Sequence, residues 1–238
     1  MNIDALQNFN AIFEDYTLYN KKIERFFLDN YVYKHSYRRG ERFDTPGQNI
    51  GRATVSYIHR GFFKIFFITS SGKEVFNGYM PRYSTLSTFA TGELFGKHMK
   101  SNVDDTVVYV APRADYLHFL SSDETVIWHQ LNEAPYRRNL NDIPRYETLA
   151  LPSRVQVFTY VLFVCERFGR PVDGNGNRIA MNYPPAMRDV ANFNGIHPNN
   201  VSKFYSELEN AGLITHSRSR LVINDVAALK HHITVLSE

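Results

Sequence analysis

Short apolar runs separated by glycine-bearing polar breaks dominate residues 31 to 120. YVYKHSY, ATVSYIH, FFKIFFI, KEVFNGY, TVVYVA and DYLHFL are rich in Val, Ile, Tyr and Phe, side chains that suit a pleated surface. Between them stand RRGE, TPGQNIG, HRG and SSGK, the turn chemistry of hairpins. Strands this closely spaced predict an antiparallel β-roll of the jelly-roll kind rather than alternating β-α units. In SYIHRGFFKIFFITSSGKEVF the turns are so short that each strand is expected to pair with its sequence neighbour. Phe62, Phe66, Phe76 and Tyr79 either fill the interior or line an aromatic pocket, and filling is the expectation.

From Ser121 the period lengthens. Ser121 and Glu124 have capping-box spacing, and Val126, Ile127 and Leu131 recur at helical steps, while Pro135 and Pro144 must each begin, kink or end a helix. This predicts a helical connector in pieces over residues 121–150, between a sensor-type roll at 1–120 and a C-terminal domain at 151–238. SRVQVFTYVLFVCERFG predicts a buried helix ending at Gly169, and RPVDGNGNRIAMNYP a polar turn with an extended flank. A helix near 186–193, a turn from Asn194 to His197, a helix from Pro198 to Asn210, a hairpin in LITHSRSRLVI and a last helix after Asn224 and Asp225 follow. Helix, turn, helix and hairpin make a winged helix, so the whole chain reads as α+β.

The helix from Pro198 decides what this end of the chain does. Val201, Phe204, Tyr205 and Leu208 recur at steps of three and four and are expected to dock on Val190 and Phe193 of the preceding helix. Proline suits its first turn, where a missing N–H costs nothing. With that stripe buried, Asn199, Ser202, Lys203 and Ser206 are forced outward, and Asn200 and His197 stand at the same end. Asn pairs bidentately with adenine, Lys reaches guanine or phosphate, and Ser bonds either. Arg218 and Arg220 in the hairpin tip and Arg188 at the start of the first helix are placed for backbone phosphates. The bland alternative is a solvated helix face, and the surrounding helix, turn and hairpin weigh against it.

Composition narrows this less than placement does. The net charge is +3, and residues 150–238 hold nine Lys and Arg against seven Asp and Glu, so bulk charge announces no polyanion partner. The single cysteine, Cys165, excludes an internal disulfide and a multi-cysteine iron–sulfur or zinc site, and fits a reducing compartment. Nine histidines lack ligand spacing: His59, His98 and His118 are scattered, and His231 and His232 would point apart on a helix, so neither a metal nor a cofactor is expected. MNIDALQNFNAIFEDY has no basic leader, and no apolar run approaches the roughly 20 residues of a membrane span. A soluble, cytoplasmic protein without membrane contact is the expectation. No nucleophile elbow, phosphate loop or metal-protease motif is present, so no enzymatic activity is expected.

SYIHRGFFKIFF, SSGKEVFNGY and MRDVANFNGIHPNNVSKFYSELENAGLI together resemble the Crp/Fnr family of bacterial transcription regulators, over roughly residues 30–232. The resemblance implies a cyclic-nucleotide-binding-type roll, a dimerising helix and a winged helix. It implies a homodimer that binds a near-palindromic double-stranded DNA operator, with RNA polymerase as a further partner and an unidentified small molecule as effector. Members that bind cyclic AMP carry Gly-Glu-Leu followed by an Arg-Ser pair for the cyclic phosphate. Here Gly92, Glu93 and Leu94 match the first part, but the place of the pair is nearest to Asp105 and Thr106, preceded by Asp104. Two carboxylates there would repel a phosphate. The usual Arg, Glu and second Arg of the reading helix are replaced by Pro198, Asn199 and Lys203, which implies a different operator. The competing expectation is a ligand- or partner-binding roll whose winged helix is a protein-interaction surface.

Overall fold

The computed structural model describes residues 20–43, 53–87, 97–128, 130, 131, 146 and 148–237. The chain divides into two compact units, Asn2–Asn139 and Leu140–Glu238. In the first, a helix over residues 20–30 (α1) precedes strands Tyr33–Tyr37 (β1), Thr54–Arg60 (β2), Phe63–Ile68 (β3), Glu74–Met80 (β4), Thr85–Ser87 (β5), Lys97–Ser101 (β6) and Thr106–Pro112 (β7). Helices Arg113–Ser121 (α2) and 124–128 (α3) follow. The strands form two antiparallel sheets, ordered β1-β7-β2-β5 and β4-β3-β6.

TVVYVAP reads as an unbroken apolar run because β7 is an inner strand covered on both faces. Val107, Tyr109 and Ala111 join Val55 and Tyr57 under Ile23, Phe26 and Phe27 of α1 and Tyr116 of α2. Val108 and Val110 point the other way, into a cluster with Tyr37, Ile58, Phe63 and Met99 that spans the two sheets. The antiparallel roll is therefore as the strand pattern predicts. Phe66, Phe76 and Tyr79 are buried and pack edge to face, with the Phe76 and Tyr79 rings 5.2 Å apart and Phe62 against Tyr79 at 5.5 Å. They pack against one another, as filling requires.

Neighbour pairing holds for β3 and β4 but fails for β2 and β3, which belong to different sheets. The link at Gly61 turns the chain from one sheet into the other, with φ +79° and its α-carbon against Thr106. DYLHFL is a helix, not a strand. Tyr116, Phe119 and Leu120 are three and four apart and face the same core, while Leu117 between them is exposed. The cap of α3 is Asp123 rather than Ser121: Asp123 Oδ1 accepts the N–H groups of Thr125 (3.0 Å) and Val126 (3.4 Å), whereas Ser121 Oγ donates to its own helix at His118 O. Of the helical triplet, Val126 is buried but Leu131 is exposed. Pro135 and Pro144, TPGQNIG, the first nineteen residues and Gly92 to Leu94 lie outside the described residues.

The second unit holds Ser153–Phe168 (α4), Arg170–Pro171 (β8), Ile179–Asn182 (β9), Met187–Asn194 (α5), Pro198–Asn210 (α6), Ile214–His216 (β10), Arg220–Ile223 (β11) and Val226–Ser237 (α7). The strands make one antiparallel sheet, β10-β11-β9-β8. α4 is apolar on nearly every side because it is the central helix: Val155, Val157, Phe158, Tyr160, Val161, Leu162, Val164 and Cys165 are all buried. It stops at Gly169, whose missing side chain admits Ile179. Among the described residues no helix is long and apolar enough to cross a membrane.

Candidate nucleic-acid interface

The apolar stripe of α6 does what its spacing requires. Val201, Tyr205 and Leu208 are buried, as are Val190 and Phe193 of α5. Phe204 is half-buried and meets Phe158 of α4 edge-on at 6.3 Å, and Phe193 is seated by Tyr160 at 4.5 Å. Between the helices Gly195 takes the left-handed conformation, φ +68°, that ends α5 and lets the chain turn at once into α6. The amide of Asn194 is buried and donates to Val190 O (2.8 Å), fixing the same corner.

With α6 held by that face, Asn199, Asn200, Ser202, Lys203 and Ser206 are all exposed. Asn199, Ser202, Lys203 and Ser206 line a shallow groove of about 620 Å³ together with Glu207 and Asn210. Ser206 Oγ donates to Ser202 O (3.1 Å), which leaves its oxygen lone pairs outward. His197 has a structural task as well: its ring Nδ1 accepts the Asn199 N–H (3.2 Å), so it caps the reading helix.

The wing is as anticipated. β10 and β11 pair from Ile214 opposite Ile223 to His216 opposite Leu221, and the tip carries Arg218 and Arg220, both exposed. Ser217 closes the tip, its N–H donating to Arg220 O at 2.7 Å. The N–H of Tyr183, a residue at φ +55°, donates to Ser219 O (2.8 Å), tying the tip to the segment that leads into α5 and to exposed Arg188. Among the described residues no carboxylate lies within ion-pair distance of Arg188, Lys203, Arg218 or Arg220. The acids nearby are occupied otherwise. Glu207 accepts from Arg154 (3.2 Å), Glu209 accepts the His216 N–H (3.1 Å) and Glu166 pairs with Lys230 (2.8 Å). The local field is therefore positive although the summed charge of the region is small.

A comparison with family models gives a match to a Crp-like helix-turn-helix domain over residues 159–232. Residues 159–232 form a Crp-like helix-turn-helix domain. The whole chain also shares its fold with Crp-type regulators. FixK2 from Bradyrhizobium japonicum is 19% identical with a TM-score of 0.61, covering 84% of this chain and 96% of its own. A transcriptional regulator of the CRP family from Thermus thermophilus is 17% identical with a TM-score of 0.61, covering 87% and 99%. A cyclic nucleotide-binding domain containing protein from Listeria monocytogenes is 14% identical with a TM-score of 0.64, covering 83% and 91%. No curated protein matches the sequence. Domain and fold together support a DNA-binding transcriptional regulator.

In the other unit, Asp104 and Asp105 occupy the turn between β6 and β7. Asp104 Oδ1 accepts the Arg39 N–H (3.0 Å), and Asp105 pairs with Arg60 (3.1 Å). Among the described residues no group of three or more His, Cys, Asp and Glu could hold a metal ion. His98 stacks on Phe66 at 5.4 Å with Glu74 beside it (2.9 Å), and His59 faces Glu24 (2.9 Å). Both serve the packing of the roll.

His216 couples this interface to pH. Its ring meets Tyr205 edge-on at 4.9 Å, and burial holds its pKa below the ordinary 6.5, only partly opposed by Glu209. Between 6.5 and the lower folded value the unfolded chain binds the extra proton, so stability falls on acidification through that window and levels off beneath it. Amide exchange in β10 and β11 should speed up as the pH drops from 7 toward 5, and His216→Gln should flatten that dependence.

Proposed function

We propose that this chain is a sequence-specific DNA-binding regulator that works as a homodimer. The observation that carries this reading is α6: its buried stripe leaves Asn199, Asn200, Ser202, Lys203 and Ser206 together on one open face. In this reading α6 enters the major groove, Asn199 and Lys203 read base edges, and Asn200, Ser202, Ser206 and His197 bond bases or backbone at its flanks. Arg188, Arg218 and Arg220 hold phosphates on either side. Two copies present two such helices to half-sites about 34 Å apart. The connector over 121–150 is the dimerising region. Exposed Trp128 and Leu131, and exposed Tyr146 and Leu149 in the other unit, support an apolar contact there.

The roll is the sensing part of this reading, and its effector is not a cyclic nucleotide. Asp104 and Asp105 put two carboxylates where a cyclic phosphate would need cations, and the Phe66, Phe76 and Tyr79 side chains fill space rather than frame it.

The direct test is selection of duplexes from a random pool by the full chain, followed by titration at several salt concentrations. A selected, near-palindromic sequence is expected. Arg218→Ala with Arg220→Ala should weaken binding to every duplex and lower the slope of log K against log salt by about 1.8 in magnitude. Failure to select or bind any duplex at low salt would return the winged helix to a protein-interaction surface.

A further inference from the structure

One acidic side chain, Glu207, lines the groove that α6 presents. A carboxylate in that place would face the phosphates flanking a major groove and weaken every duplex alike. The structure disposes of it with a residue from outside the helix-turn-helix. Arg154, in the first turn of α4, donates from Nη1 to Glu207 Oε1 at 3.2 Å. The other acid at this end of α6, Glu209, accepts the His216 N–H instead. Each is thus turned to a donor of its own unit, and Arg188, Lys203, Arg218 and Arg220 keep their charge.

We infer that Arg154 is a positioning residue for DNA binding: it holds Glu207 at the rim of the reading groove and cancels its charge, so that the groove meets DNA without a net negative group. The inference rests on the reading of α6 as the DNA-reading helix. It differs from a direct phosphate contact, because here the arginine acts through Glu207. Side-chain exposures of 41% for Arg154 and 35% for Glu207 place the pair at the water boundary, where its worth to folding is small and its worth to the field outside is not.

The experiment compares Arg154→Gln, Glu207→Gln and the double variant with the unaltered full chain, on the selected duplex and on an unrelated one. Arg154→Gln should weaken both duplexes to the same degree, about fivefold at low salt, the size of one unscreened charge a few ångströms from a phosphate. The gap should shrink as salt rises. Glu207→Gln alone should bind as tightly as the unaltered chain or tighter, and the double variant should match Glu207→Gln. Amide protection along α6 should stay unchanged throughout. Binding by Arg154→Gln that equals the unaltered chain overturns the inference. So does a double variant as weak as Arg154→Gln, which would make Arg154 a phosphate ligand, or lost α6 protection, which would make the pair a structural tie. If the unaltered chain itself binds no duplex, the DNA reading falls and this inference falls with it; in the other failures the DNA reading stands.

Discussion

Replacing Asn199 and Lys203 together by alanine should erase discrimination between the selected duplex and an unrelated one while leaving the fold intact. Each good base contact is worth about 1–3 kcal/mol, so losing two should cost about 2–6 kcal/mol of specificity, on the order of 10² to 10⁴ in the ratio of affinities. Residual binding should survive through Arg188, Arg218 and Arg220, because phosphate contacts are indifferent to sequence. Folding should not suffer. Both side chains are exposed, alanine is the better helix former, and the stripe of Val201, Tyr205 and Leu208 that seats α6 is untouched. The measurement is a pair of binding isotherms with a melting curve as control. A double variant that keeps the specific-to-unrelated ratio of the unaltered chain would show that another surface reads the DNA.

That result would turn on a distinction the chain makes in plain view at one end and conceals at the other. α6 could be bounded at Pro198 and Asn210 from the sequence because three local signals agree there: a proline at the first turn, apolar steps of three and four, and Gly195 just before. The buried and open faces then follow from helical geometry alone. The roll gave its strands but not their partners. Short turns on both sides of FFKIFFI look alike in sequence, yet SSGK closes a hairpin and HRG crosses between sheets, since pairing depends on which distant strand, β6 or β7, arrives alongside. DYLHFL misled because aromatic content favours strands while its spacing favours a helix, and packing beneath α1 settled it. KHMKS, the strand β6, carries too few apolar residues to be seen at all. The tie between Arg154 and Glu207 was invisible for another reason: the two residues are 53 positions apart and belong to helices that meet only in the folded unit.

Gly61 carries the second large effect, because it is the corner at which the roll changes sheets. Valine there should destabilise the first unit by about 2–5 kcal/mol. Roughly 1–2 of this comes from the left-handed backbone at φ +79°, and the rest from a side chain with nowhere to go. Its Cβ would overlap Thr106 Oγ1 and stand 2.9 Å from Thr106 Cα, and that threonine is locked by a 2.7 Å hydrogen bond to Ser101 at the junction of β6 and β7. Moving Thr106 therefore means moving the inner strand of one sheet and an edge of the other. Gly72 supplies the control. Its φ is +77°, nearly the same, but nothing lies within 4 Å of an added Cβ, so Gly72→Val should show the backbone penalty alone. The single tryptophan, Trp128, lies in the first unit, and its fluorescence during urea unfolding should report both variants. Equal losses at the two glycines would mean that Thr106 yields and that the corner is softer than its contacts indicate. A larger loss at Gly61, with amide protection of α4, α5 and α6 unchanged, would place the damage at the corner and leave the DNA-reading unit apart from it.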